Sequence, residues 1–395
     1  MKSKRTKKNI QMKKFVFALI IVLIVGGCVS TKAPSADSIP IVERSTQPNE
    51  SDRLFSVFLV GDAGDASLDP LEPSLSILGE KLQQAGENSA VVFLGDNVYP
   101  HGLPRENHRK REQAENRLQA QFKSIENYKG KVIFLAGNHD WNSSRRSGLK
   151  AVLRQEKFVE KSLNRGNVFL PDNGRPGPEL VKSKNGNFDM SIVALNTQWW
   201  LHPHNKPGAE TEKEYELTKK QIVQNLKEAV TDPSVDQVLV VGHHPMYSNG
   251  TNGGKFPLKT HLLPPIGGSL YVLYRNIFGT AQDISSRKYS KMKERLTSVF
   301  ADRNPLIYAS GHDHSLQYIT FGDERRNQNY IVSGSATVTS YVKNPGSPNF
   351  GVQQKGFSAL HYYKNSIWIE FWSEGGKRLF EQEVAPIHQK GLGKE

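Results

Sequence analysis

Five short segments carry side chains that can bind a cation or a phosphate. They are Gly61-Asp62-Ala63-Gly64-Asp65, Gly95-Asp96-Asn97-Val98-Tyr99, Gly137-Asn138-His139-Asp140, Gly242-His243-His244-Pro245 and Gly311-His312-Asp313-His314. Each opens on glycine and offers carboxylate, carboxamide, imidazole or phenol. Those groups suit hard or borderline divalent and trivalent metals. The chain has one Cys, which excludes a disulfide scaffold and a Cys-rich zinc module. Any one motif alone is ordinary turn chemistry or a satisfied histidine. Five together, each closing an apolar run, point to one assembled site.

The runs that must position these residues lie at 54–60, 91–94, 132–135, 237–241 and 306–310, with two more at 191–195 and 330–332. Continuous apolar runs of this length suit buried strands. Helical patterns fall between them, at 73–84, 107–125, 212–230 and 291–300. The first opens on Pro73 and stops before Gly86, as helix start and stop signals do. Strand–helix alternation predicts an α/β domain over 52–395. In such sheets the carboxyl ends of the strands converge on one crevice, where ligands bind. Runs at 361–363, 366–372 and 379–384 predict antiparallel strands that complete a sheet. Segments 142–187 and 247–286 are rich in Gly, Pro and polar residues and read as loops, the second long enough for a lid. His202 and His204 stand beside Trp199-Trp200 and either line the cleft or join aromatic packing.

Charge narrows the function classes. The chain has 395 residues, with 52 Lys+Arg against 39 Asp+Glu. Seven of the basic residues fall in the first 14 positions, and 1–27 carries no acid. The rest of the chain therefore holds 45 against 39, a balance of +6. No strongly basic domain remains, so nucleic acid is not expected as a specific partner. The basic start leads into an apolar run at 15–25. That is too short for a stable bilayer span of about 20 residues and fits a signal-peptide core. It ends in Val25-Gly26-Gly27-Cys28, which resembles a bacterial lipobox. Residues 1–27 are then a lipoprotein signal peptide, Cys28 the lipidated residue, and 28–51 a flexible tether. The alternative is a free Cys28 behind an ordinary leader, and Met12 offers a second start. Lipidation implies a membrane anchor in the bacterial cell envelope, on the periplasmic or cell-surface side.

In order and type the five motifs resemble those of the calcineurin-like metallophosphoesterase superfamily. Asp96-Asn97-Val98-Tyr99 is similar to its purple acid phosphatase branch, the tartrate-resistant acid phosphatase type. The resemblance implies a four-layer α/β/β/α sandwich. It implies Fe(III) held by Asp62, Tyr99 and His314, a divalent metal (Fe, Zn or Mn) held by Asn138, His243 and His312, and Asp96 bridging the two. It also implies a catalytic His139 beside the substrate, oriented by Asp140. Relatives often carry another substrate-facing His after the His243 motif, and 247–260 contains none. His244 and His261 are the candidates for that role, with Asn97 a further possible substrate contact. The expected activity is acid phosphomonoester hydrolysis by metal-bound hydroxide. A phosphodiesterase on the same site and an anchored, non-enzymatic binding protein are the alternatives.

Overall fold

The computed structural model describes residues 48–261, 267–277, 279–322 and 327–386. The expected leader, Cys28 and the tether up to residue 47 lie outside them. No helix among the described residues is long and apolar enough to cross a membrane.

In chain order the first half holds β1 (Arg53–Val60), α1 (Pro73–Ala85), β2 (Ser89–Phe93), α2 (Arg111–Ser124), β3 (Lys131–Leu135), α3 (Gly148–Leu163), β4 (Phe169–Leu170), β5 (Glu179–Asn185) and β6 (Phe188–Leu195). The second half holds α4 (Thr197–Leu201), α5 (Glu212–Val230), β7 (Gln237–Gly242), α6 (Leu258–His261), α7 (Gly267–Ile277), α8 (Arg287–Phe300), β8 (Leu306–Ser310), β9 (Leu316–Phe321), β10 (Gln328–Ser333), β11 (Phe350–Val352), β12 (Gly356–Tyr363), β13 (Ser366–Ser373) and β14 (Arg378–Pro386). They form two seven-stranded mixed sheets, ordered β14-β13-β12-β1-β2-β3-β4 and β11-β9-β10-β8-β7-β6-β5.

Period-2 alternation explains the layers. Along β1, Val57 and Leu59 join one apolar cluster with Ile192, Leu239, Val241, Ile307 and Ile331 of the other sheet. Phe58 and Val60 point the other way and pack with Leu75, Leu78 and Leu82 of α1. The second sheet does the same, with Val240 and Tyr308 among Leu226, Leu296 and Phe300 of its helices. A strand buried on both faces must be apolar throughout, hence the continuous runs. Each fully buried Val, Leu or Phe contributes roughly 1.5–3 kcal/mol. The result is helix, sheet, sheet, helix: the expected α/β/β/α sandwich. β12, β13 and β14 pair antiparallel onto β1 as expected.

Two segments differ from expectation. Residues 142–187 are not a plain loop but contain α3 and the strands β4 and β5. Residues 247–286 contain α6 and α7. β1, β2, β3, β7 and β8 are mutually parallel within their sheets, so their carboxyl ends open on one edge.

Candidate metal centre

Three donors sit in the left-handed backbone region: Asp62 at φ 59°, Asp96 at φ 55° and His312 at φ 67°. Non-glycine residues enter this region at a cost and cluster at functional sites. Backbone donors hold the carboxylates in place. The His312 N–H donates to Asp62 Oδ2 at 2.8 Å, and the His139 N–H donates to Asp96 Oδ1 at 2.8 Å. The glycines before the donors are needed for space. A Cβ on Gly137 would lie 2.2 Å from Asp96 Oδ1, and one on Gly311 would lie 2.6 Å from Asp62 Oδ2. Glycine there admits a neighbouring donor.

Two groups of donors result. In one, the Tyr99 hydroxyl donates to Asp62 Oδ1 at 2.7 Å, and His314 Nε2 lies 3.1 Å from that hydroxyl and 3.3 Å from Asp62 Oδ1. In the other, Asn138 Oδ1 lies 3.1 Å from His243 Nε2 and 3.0 Å from His312 Nδ1. Asp96 stands between them, with Oδ2 3.4 Å from His243 Nε2.

The hydrogen-bond roles show what this arrangement can hold. His243 Nδ1 faces the Leu94 carbonyl at 2.8 Å, so Nδ1 carries the proton. His312 Nε2 faces the Gln282 carbonyl at 3.2 Å, so Nε2 carries its proton. The other ring nitrogens, His243 Nε2 and His312 Nδ1, therefore aim lone pairs at Asn138 Oδ1, itself an acceptor. Buried acceptors that converge on one another call for a positive charge between them, a metal ion or a proton. Imidazole, carboxamide, phenol and carboxylate are a suitable donor set for a metal ion. A proton answers the same field. Burial pushes the His243 imidazolium down, but the Asp96 and Asp62 carboxylates outweigh it and raise His243 to about 9. His312, buried beside His243, falls to about 4. Asp96 is pushed up by burial, yet His243, His139 and His312 hold it well below the usual carboxylate range. Burial, then Asp62 and Asp96, raises the Tyr99 phenol well above its ordinary value. A cation close by would reverse that last effect.

Residues 55–316 match the model of the calcineurin-like phosphoesterase family. The chain belongs to this family. It is a metal-dependent phosphoesterase. Two curated relatives are purple acid phosphatases of Arabidopsis thaliana. Purple acid phosphatase 17 is 22% identical, over 86% of this chain and 86% of that protein. Purple acid phosphatase 3 is 22% identical, over 94% and 86%. Among solved structures, GAP50, the anchor in the inner membrane complex of Plasmodium, shares the fold at TM-score 0.53 and 15% identity, covering 85% of this chain and 90% of that one.

The structure brings all seven expected donors of this phosphoesterase together. His139 stands at the mouth: its side chain is 29% exposed where that of His243 is fully buried. Its Nδ1 donates to the Pro100 carbonyl at 2.6 Å, and its ring meets Tyr99 edge-on at 4.6 Å. Nε2 is left facing the donor cluster, 3.8 Å from Asp96 Oδ2.

Four expected roles change. Asp140 does not orient His139. It is fully buried and accepts from the backbone of Gly137, Asn97 and Val98 and from Gln155 Nε2. It braces the β2 and β3 turns, and burial with nearby Asp96 raises it to about 6. Asn97 is buried and spends its amide on the Leu135 carbonyl and Asp140, so it does not face substrate. His244 has both ring nitrogens engaged, Nδ1 with Thr197 Oγ1 at 2.8 Å and Nε2 with Gln282 Oε1 at 2.7 Å. Burial, then His312 and His243, keep it neutral well below its ordinary value. His261 ends α6, where its carbonyl accepts from Ser269, and no described contact ties it to the cluster. His202 is buried and packs against Trp141 with ring centres 4.8 Å apart and the rings tilted by 49°, which resolves it as packing. Gln282 was not singled out from sequence. Its carbonyl meets His312 and its side chain His244, and only its place in the expected lid hinted at it.

Proposed function

We propose that the protein is a phosphomonoesterase of the purple acid phosphatase type, working with two metal ions. The convergence of seven donors into two groups sharing Asp96 carries the reading. Asp62, Tyr99 and His314 suit a trivalent ion, Fe(III), because two carboxylates and a phenol fall to that side. Asn138, His243 and His312 suit a divalent Fe, Zn or Mn, with Asp96 between. When bound, such a pair supplies Lewis-acid charge neutralisation and an acidified water. The chain's own residues do the rest. Leu94 and Gln282 carbonyls fix the tautomers of His243 and His312. The Pro100 carbonyl fixes that of His139. With Nδ1–H held by Pro100, His139 Nε2 at the exposed edge takes up a second proton from solvent, and the imidazolium hands that proton to the departing ester oxygen.

Metal analysis with a visible spectrum tests the metal assignment. A phenolate on Fe(III) gives a charge-transfer colour that Tyr99→Phe abolishes. A colourless, fully active, iron-free protein would overturn the purple acid phosphatase reading. A chromogenic phosphomonoester assayed beside its diester analogue tests the substrate class, and the monoester should be hydrolysed faster.

The lipobox-like end of the 15–25 run supports anchoring at the cell envelope through lipidated Cys28. Cys28→Ser should move the processed protein from the membrane fraction to the soluble one. A variant that stays with membranes would remove the anchor.

A further inference from the structure

We propose that the cavity beside Tyr99 and His139 is a second anion subsite that receives a phosphoryl group carried by the leaving group, so that the preferred substrates bear two phosphates. The proposal rests on the reading of His139 as the leaving-group acid. The cavity measures about 440 Å³, and Tyr99, Pro100, His101, Arg105, Lys110 and Arg145 are among its walls. No carboxylate lines it among the described residues, although the chain as a whole carries 39 acids against 52 Lys+Arg.

Its cations fall into two kinds. Arg117 is committed to the frame, donating to the Tyr99 carbonyl and to Asp65. Among the described residues Arg154 donates only to the carbonyls of Leu103 and Lys150, so no carboxylate there cancels its charge. Burial, then the neighbouring Arg111 and Arg105, lowers its pKa, the direction expected in a field of like charge. Arg105, Lys110 and Arg145 are exposed at the rim and have no carboxylate partner among the described residues. Like charges held around a concave wall attract a polyanion, and guanidinium matches phosphate with paired hydrogen bonds.

The cavity also shares its floor with the catalytic edge. The Pro100 carbonyl that accepts from His139 Nδ1 also accepts from Ser143 Oγ at 2.6 Å, and Ser143 Oγ lies 2.9 Å from His101 Nδ1. Asn142, Ser143 and Ser144 all have positive φ, at 53°, 50° and 63°, and they deliver Arg145 to the rim. If His139 protonates the leaving oxygen, whatever that oxygen was bonded to extends past Pro100 into this basic hollow. A neutral leaving group would leave the cations idle.

The test uses the metal-loaded protein and a series of α,ω-alkanediol bisphosphates with three to six carbons, each against its monophosphate. For the best-fitting spacer, kcat/KM should exceed that of the monophosphate by about tenfold or more, as charge-assisted hydrogen bonds allow. Arg105→Gln/Arg145→Gln should shrink that ratio to about threefold or less. Lys288→Gln, in another basic hollow, should leave the ratio as it is. A ratio near one in the native protein, a ratio unmoved by the double variant, or an equal fall in Lys288→Gln would each overturn the subsite. So would a ratio near one with sulfate altering monophosphate turnover through Arg105 and Arg145, because the hollow would then hold a free anion. Calorimetry with the matching alkane mono- and bisphosphonates reads binding without turnover. Retained preference there with no hydrolysis of any ester would sink the phosphatase reading and keep the subsite.

Discussion

The donor cluster and its rim are built on opposite plans. The cluster stands on the buried ends of β1, β2, β3, β7 and β8, where glycines make room and backbone N–H groups hold each carboxylate. The rim is made of 142–147 and 279–286, which meet the cluster's surroundings through side chains and, at His312, through the Gln282 backbone carbonyl. Gln282 meets His244, and Ser144 accepts from Gln198 at 2.7 Å and from Gln282 at 3.4 Å. The difference teaches where tolerance should lie. Cluster substitutions remove a donor that nothing can replace, whereas rim substitutions leave the donors and blur their aim.

The sharpest break of that contrast is at its centre. Asp96→Ala should abolish metal retention at both positions and reduce turnover to background. Elemental analysis checks it, and full occupancy of both metals in the variant would sink the shared-donor assignment. Next in size is His139, which touches both regions. His139→Asn should keep both metals and lose turnover by ~10²–10⁴, the usual worth of a general acid. The loss should be greatest for poor leaving groups. Metal loss would make His139 a ligand, and an equal loss for good and poor leaving groups would remove the acid role. Gln282→Ala tests the rim. Metal content should hold while kcat/KM falls by roughly tenfold or less, below the usual cost of losing a group that supports a ligand, because the backbone carbonyl that meets His312 stays and, among the histidines, the lost side chain supports only His244. Loss of a metal there would show that the rim carries more of the cluster than its contacts indicate.

The same contrast decides what was legible beforehand. A strand buried on both faces leaves a continuous apolar run, and a donor after glycine marks its end, so the cluster could be read directly. Membership of a motif did not separate ligand from brace. Asn97 and Asp140 lie in the same motifs as the clustered donors but turn inward to carbonyls and N–H groups, a matter of side-chain direction that spacing does not encode. α3 escaped notice among the polar residues of 142–187, although Ala151, Val152, Gln155 and Val159 share a buried face at helical spacing. β5 was invisible because it alternates half-buried and exposed residues with little apolar content. The left-handed run at 142–144 depends on tertiary contacts with Pro100, Gln198 and Gln282, and nothing local in Asn-Ser-Ser announces it.

His202, beside the rim, supplies the smallest expected effect and separates the pH response of folding from that of catalysis. Its ring is buried against Trp141, and neither ring nitrogen has a hydrogen-bond partner among the described residues. Burial, then His204 and Lys206, lowers its pKa to about 4 from an ordinary 6.5. Between those values the unfolded chain binds a proton that the folded chain refuses. Stability therefore falls as pH drops through 6.5 and stops falling near 4. The full penalty is on the order of 3 kcal/mol at the acid end. His202→Phe keeps an aromatic ring against Trp141 and removes the titrating group. Urea midpoints at pH 7.5 and pH 5 should converge in the variant while the native protein loses stability over that interval. The acid limb of catalysis should stay in place, because His139 and the donor cluster are untouched. If the variant shifts the acid limb of kcat instead and leaves the midpoints apart, the flank and the cluster are coupled, and the division drawn between them fails.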